Sequence, residues 1–255
     1  MLKLQRTLEP GKKAYFASDF HLGVPDYASS LEREKKIVRW LHSIESDCQY
    51  LFLQGDLFDF WFEYHDVVPK GFTRILGKLA QLSDKGIELF LFTGNHDMWM
   101  FGYLEKELNC TVYRDAIEVI WNNNQRILIG HGDGLGPGDR LYKILKKVFR
   151  NPVCQWLFAF VHPRIGMGIA NAWSRHSRIH NNVDADFLGE KEYLWQYCEE
   201  MEKQEHRDCY LFGHRHLPID MKVGNSSRYL NMGEWLHHCR FVEFDGIQIQ
   251  MKTWE

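Results

Sequence analysis

No window of the 255 residues holds the ~20 consecutive apolar positions a helix needs to span a bilayer. The opening MLKLQRTLEPGKK has neither the continuous apolar core nor the small-residue cleavage site of a secretory signal, so the expected location is the cytoplasm. None of the six cysteines (Cys48, Cys110, Cys154, Cys198, Cys209, Cys239) stands in a C-x-x-C spacing, and a chain this long needs no disulfide staples. They read as free, mostly buried thiols. Internal repeats and low-complexity linkers are absent as well, which leaves one sizeable domain over 1–255, interrupted by a substantial insertion.

What is plentiful points to a packed core and to metal chemistry. Hydrophobic residues make up 45% of the chain, which excludes a disordered polymer, and several of its 13 histidines stand in pairs or beside Asp. The net charge of -3 hides a bias: residues 138–180 carry eight Lys or Arg against Asp139 alone. A local excess of this kind suits an anionic partner, whether nucleic acid, anionic lipid or a phosphorylated small molecule.

Short runs rich in β-branched and aromatic residues recur, each closing in a polar cluster: AYFASDFH (14–21), YLFLQGDLFD (50–59), IELFLFTGNHD (87–97), RILIGHGD (126–133) and CYLFGHRH (209–216). They read as strands. Between the first three, helices are expected over SLEREKKIVRWLHSIE, with Ser29 or Ser30 as N-cap, and within 70–84, closed by Gly86. Strand-helix-strand order is the α/β signature, and reactive groups in such sheets gather at the carboxyl ends of strands. After His216 come four short strands without helices, expected to form a second, more antiparallel sheet packed on the first.

The strand ends bring together Asp19, His21, Asp56, Asn95, His96, Asp97, His131, His214 and His216. Residues i and i+2 of a strand share a face, so D-x-H and H-x-H pairs can each reach one centre. Carboxylate, amide oxygen and imidazole together suit Mn²⁺, Fe or Zn better than Ca²⁺. Seven ligand candidates exceed one ordinary site, and two metals sharing a carboxylate would use them all. His96 reads as a catalytic group acting on the leaving oxygen, with the Asp97 carboxylate fixing its imidazole. Asp59 reads as a carboxylate behind a ligand His.

The pattern D-x-H, GD-x-x-D, GNHD, GH and GHxH resembles that of the calcineurin-like metallophosphoesterases. The resemblance implies a two-sheet α/β/β/α sandwich and two divalent ions, with Mn²⁺ the expected metal. Asp19, His21 and His216 would hold one ion and Asn95, His131 and His214 the other, with Asp56 bridging.

The substrate has to be read from the insertion, 134–183. Leu141, Ile144, Leu145, Val148 and Phe149 have the spacing of an amphipathic helix that Asn151-Pro152 interrupts. The runs VCQWLFAFV and IGMGIANAW that follow are apolar around most of their circumference. Such helices either pack on one another or on a second copy, or form an apolar lid over the metals, rimmed by cations. The lid, with HGDGLGPGD, RNP and Ser177-x-x-x-Asn181, is similar to one branch of the family, the UDP-2,3-diacylglucosamine pyrophosphohydrolases of lipid A biosynthesis.

That likeness implies hydrolysis of a UDP-linked diacylated glucosamine, or a similar anionic lipid, at the inner face of the cytoplasmic membrane. Asn95, His96, Asp139, Ser177, Asn181 and His214 would then contact substrate. The chain departs from the branch at His96, where Arg is usual, and at Asp184, where Lys is usual. A phosphoesterase acting on a soluble nucleotide or phosphoprotein, and a metal-free binding scaffold, are the competing readings. Nucleic acid fits poorly, because the basic patch is interleaved with aliphatic surface rather than stacking aromatics.

Overall fold

The computed structural model describes residues 1–169, 172 and 186–255. In chain order the described elements are β1 (Lys3–Arg6), β2 (Lys13–Ala17), α1 (Tyr27–Ser43), β3 (Cys48–Gln54), α2 (Thr73–Asp84), β4 (Glu88–Phe92), α3 (Tyr103–Leu108) and β5 (Thr111–Tyr113). There follow β6 (Ile117–Trp121), β7 (Arg126–Gly130), α4 (Arg140–Phe149), α5 (Pro152–Ala159) and α6, the helical run 163–169. The chain ends with α7 (Tyr193–Gln204), β8 (Cys209–Phe212), β9 (Pro218–Val223), β10 (Ser227–Met232), β11 (Arg240–Phe244) and β12 (Ile249–Thr253).

Two six-stranded sheets result, ordered β12-β11-β2-β3-β4-β5 and β1-β6-β7-β8-β10-β9. The expected division of strands is therefore corrected. β7 and β8 leave the sheet of β2, β3 and β4, and the four C-terminal strands do not form a sheet of their own. β9 and β10 extend the β8 sheet, whereas β11 and β12 add antiparallel strands to the open edge of β2. The reason lies in β6, unread in the sequence, which pairs antiparallel with β7 and carries it into the other sheet.

Alternation of side chains makes the layers. Phe16, Phe52 and Phe90 point between the sheets and stack at 4.9 and 4.7 Å between ring centroids. They meet Ile127, Ile129 and Leu211 from the other sheet. The neighbours Tyr15, Leu51, Leu53, Leu89 and Leu91 face the opposite way, onto Ile37, Trp40 and Leu41 of α1 and Ile75 and Leu79 of α2. On the far side Leu128, Tyr210 and Phe212 pack on Leu194 and Cys198 of α7. A period of two with both faces apolar is what a sheet buried on both sides requires. The order is helix, sheet, sheet, helix, the α/β/β/α sandwich.

Asp26, not Ser29 or Ser30, caps α1, its Oδ1 accepting the Ser29 N–H at 2.9 Å. At the start of α2 no side chain caps from Phe72, and the buried Glu34 of α1 accepts the Arg74 and Ile75 N–H groups instead, at 2.9 and 3.1 Å. Glu34→Ala should then cost about 1–3 kcal/mol by stranding these donors, read as a lower denaturation midpoint. An unchanged midpoint would show that water replaces the carboxylate.

Candidate metal centre

The five polar clusters all lie at carboxyl ends of strands, and packing the two sheets face to face brings those ends to one place. Asp19 and His21 follow β2, Asp56 follows β3, Asn95 follows β4, His131 follows β7, and His214 and His216 follow β8. Strand pleat is not what makes the pairs converge. Asp19, His21, Asp56, His214 and His216 all take positive φ, between 45° and 66°, so the chain turns left-handed at each one. Such backbone costs of order 1–3 kcal/mol per non-glycine residue and persists where surrounding structure enforces it, commonly at functional sites. Two glycines permit the crowding: a Cβ on Gly94 would lie 2.1 Å from Asp56 Oδ1, and one on Gly213 would lie 2.3 Å from Asp19 Oδ2.

Three groups of potential ligands form among the described residues: His21, Asp59 and His96 make one, and the two that hold the expected ligands share Asp56. Asp19, His21, Asp56 and His216 offer donor atoms within 4.8 Å of one another, as do Asp56, His131 and His214. His216 Nε2 is 3.2 Å from Asp19 Oδ1, His131 Nε2 is 3.3 Å from Asp56 Oδ2, and Asn95 Oδ1 is 3.1 Å from His131 Nε2. Asp19 Oδ1 and Asp56 Oδ2 are buried without a hydrogen-bond partner. Buried carboxylate oxygens of this kind are costly unless a cation meets them. The residues therefore fit a pair of divalent metals.

The electrostatics agree. Burial opposes ionisation of Asp19, yet the neighbouring imidazoles of His21 and His216 hold its carboxyl well below the usual range. Burial likewise works against protonated His21, but Asp19, Asp59 and Asp56 raise it to about 10. Burial also opposes protonation of His131, and Asp56 and Asp19 lift it to about 10. His214 goes the other way, to about 4, through burial and the nearby His131. Without metal, His21 and His131 thus hold protons at neutral pH that a metal must displace. Titrating Mn²⁺ into chelated protein at pH 7.5 should release on the order of two protons, with affinity falling as pH falls. Proton-neutral, pH-independent uptake would place the metal elsewhere.

Asp97 does not sit behind the His96 ring. Its buried carboxylate accepts the N–H groups of Gly94, Asp56 and Leu57 at 2.8, 3.2 and 2.8 Å, tying the β3 and β4 loops together. Burial pushes that carboxyl up to about 7, with Asp56 adding to the effect. Asp97 is therefore a positioning residue, where the sequence suggested a catalytic one. The place expected of Asp97 belongs to Asp59, whose backbone O is 3.1 Å and Oδ1 3.6 Å from His96 Nδ1. Asp59 Oδ1 also stands 3.5 Å from His21 Nδ1. Sequence reasoning missed Arg33, which donates to the carbonyls of Phe20, His21 and Val24 and fixes the turn carrying His21. A signal existed, because Arg33 falls in register with Ile37 and Leu41 on the apolar stripe of α1.

The inserted helices rise beside this centre. Asp139 caps α4, its Oδ1 accepting the Tyr142 N–H at 3.3 Å, so its carboxylate has a structural duty as well as the expected substrate contact. Tyr142 and Lys146 both bond to Asp133, two residues past His131, and so root α4 at the metal centre. Phe158 of α5 packs on Phe62 and Trp99, at 4.9 and 5.4 Å between ring centroids. Phe149 of α4 packs on Trp99 as well, whereas other apolar side chains face outward: Leu141 is 79% exposed, Trp156 60%, Leu157 56% and Phe160 72%. Ser177, Asn181 and Asp184 lie outside the described residues.

The model of the calcineurin-like phosphoesterase family matches residues 12–218, which span every one of these candidate ligands. The chain belongs to the calcineurin-like phosphoesterases. Within that family, the UDP-2,3-diacylglucosamine hydrolase of Porphyromonas gingivalis is 37% identical over 95% of this chain and 98% of its own. The proteins of that name from Edwardsiella ictaluri and Azotobacter vinelandii are 26% and 28% identical, over 92% and 90% of this chain and 90% and 93% of theirs. No helix among the described residues is long and apolar enough to cross a membrane.

Proposed function

We propose that this phosphoesterase hydrolyses the pyrophosphate bond of UDP-2,3-diacylglucosamine, releasing UMP and 2,3-diacylglucosamine 1-phosphate. The observation that carries the reading is the exposed apolar surface of α4 and α5, rooted through Tyr142 and Lys146 beside the metal ligands. A soluble nucleotide or phosphoprotein leaves that surface without a purpose. The similarity to hydrolases named for this substrate supports the same reading.

Asp19, His21 and His216 would hold one metal, Asn95, His131 and His214 the second, and Asp56 both, with Mn²⁺ the metal of choice for this donor set. Two such ions supply charge for the pyrophosphate oxygens and make water acidic enough to act as a nucleophile near neutrality. The chain's own residues do the rest. Arg33 and Asp97 hold the ligand loops in register. His96, backed by Asp59, stands at the rim of the centre, where its imidazole can give a proton to the departing oxygen. Segment 134–183 acts as a lid within one domain, with Asp139, Ser177 and Asn181 meeting substrate. Its outward apolar side chains meet the acyl chains, and its basic ones hold the enzyme at the inner face of the cytoplasmic membrane, where an acylated substrate resides.

The direct test compares turnover of the diacylated nucleotide sugar with that of its deacylated counterpart on Mn²⁺-loaded enzyme. Equal rates would end the lipid reading. His96→Ala should lower kcat by ~10²-fold or more with metal content retained, the usual range for a lost general acid. Metal loss in step with activity would instead make His96 a ligand or a strut.

A further inference from the structure

Between the loop after β4 and the roots of α4 and α5 lies a cavity of about 120 Å³, walled by Thr93, Phe101, Arg114, Lys146, Arg150 and Gln155 among others. A smaller space of about 30 Å³ shares Thr93, Arg114 and Lys146 with it and reaches the metal ligand His131. The cations and the metal centre thus line adjoining space.

Their charges are not equivalent. Lys146 pairs with Asp133 at 2.7 Å and Arg150 with Asp115 at 2.8 Å. Arg114 donates to the Met100 carbonyl at 2.8 Å and meets no carboxylate among the described residues. The wall therefore carries one uncompensated guanidinium, the group best shaped for a phosphate. On the same lining Phe101 offers an aromatic ring. Gln155 has its Nε2 committed to the Phe149 carbonyl at 2.9 Å, so Oε1 is the atom left to accept from a ligand. Cation, ring and amide acceptor in one concave site suit a nucleotide, whereas an acyl chain finds no complement among three cations.

We propose that this cavity holds the nucleoside 5′-monophosphate half of the substrate, with its phosphate on Arg114 and its base between Phe101 and Gln155. The proposal rests on the hydrolase reading above and deepens it. Arg114 is then a specificity residue: it anchors the phosphate on the nucleotide side while the metals hold the bond to be cut. The acyl chains leave in the other direction, onto α4 and α5.

Calorimetry on the Mn²⁺-loaded enzyme with UMP, uridine and inorganic phosphate tests this. UMP should bind tighter than either fragment. Arg114→Gln should weaken UMP by ~10-fold or more, the loss expected for a hydrogen bond to a charged group, and leave uridine unchanged. Phe101→Ala should weaken UMP and uridine alike and spare phosphate. Lys147→Gln, a cation on α4 outside the cavity, should change none of them, which separates a built site from the general positive field. Metal content checks that each variant is folded, and Arg114→Lys, keeping charge but not the fork, should fall between the unmodified enzyme and Arg114→Gln.

Equal UMP affinity in Arg114→Gln, or UMP binding no tighter than phosphate, would overturn the proposal. Turnover of the acylated nucleotide sugar is scored separately. Arg114-dependent UMP binding without such turnover would defeat the hydrolase reading and leave the site standing. Turnover with Arg114-independent binding would do the reverse.

Discussion

Asp56→Ala should reduce turnover by more than ~10²-fold, beyond what losing a partner behind a metal ligand usually costs, and should lower the metal content of the chain at both positions together. Asp56 is the one residue common to both ligand clusters, and its buried Oδ2 has no hydrogen-bond partner. Its other oxygen accepts the His96 N–H at 2.9 Å, so the same carboxylate sets the loop that carries the proposed proton donor. Asp56→Asn separates the two duties: the amide oxygen can still accept from His96, while the bridging negative charge is gone. If the charge is what matters, Asn should be nearly as damaging as Ala. His216→Ala and His131→Ala, each in one cluster only, should be milder, and each should lose one ion in preference to the other. Full activity after exhaustive chelation would falsify the dinuclear reading, and a metal-free binding role would then take first place.

Replacing Trp156, Leu157 and Phe160 together by Ser should raise KM steeply for the diacylated substrate while hydrolysis of a small chromogenic phosphodiester stays nearly constant. Each methylene these side chains cover on an acyl chain contributes up to ~0.8 kcal/mol, so two chains can draw much of their binding from one apolar surface. The triple change is informative because all three are more than half exposed. Their loss removes little core packing. α5 keeps its seat through Phe158 on Phe62 and Trp99, and its start through the Asn151 cap, whose Oδ1 accepts the Val153 N–H at 2.9 Å. Equal losses on both substrates would show that the surface supports the fold. A matching drop in affinity for vesicles of anionic lipid, with KM for detergent-dispersed substrate unchanged, would assign it to the membrane instead of the acyl chains.

The candidate ligand set was legible in the sequence because it is carried by short-range pattern. Each metal-directed residue sits within a few positions of an apolar run, and strand ends in an α/β sheet have one functional side. Asp19, His21, Asp56, Asn95, His131, His214 and His216 needed no tertiary information to be collected. The amphipathic spacing of α4 and the break at Pro152 were equally local, and the structure starts α5 at that proline.

Residues whose role depends on a distant partner were another matter. Asp97 is next to His96 in the chain, but its carboxylate reaches the β3 loop, 40 residues away, and leaves the imidazole to Asp59. Arg114 and Lys146 are unremarkable cations until β5 and α4 bring them to one cavity wall. The sheet to which β7 and β8 belong was invisible for the same reason. An apolar strand buried on both faces has no preferred neighbour written into it, and the choice fell to the β6 hairpin and the packing of Ile127, Ile129 and Leu211 against the phenylalanine stack. By itself the sequence determined which side chains are collected as candidate metal ligands and that the inserted helices are apolar. Only the tertiary structure decided which carboxylate serves which histidine, and where an uncompensated cation lies, because those are set by contacts between segments that strand and helix periodicity leaves free.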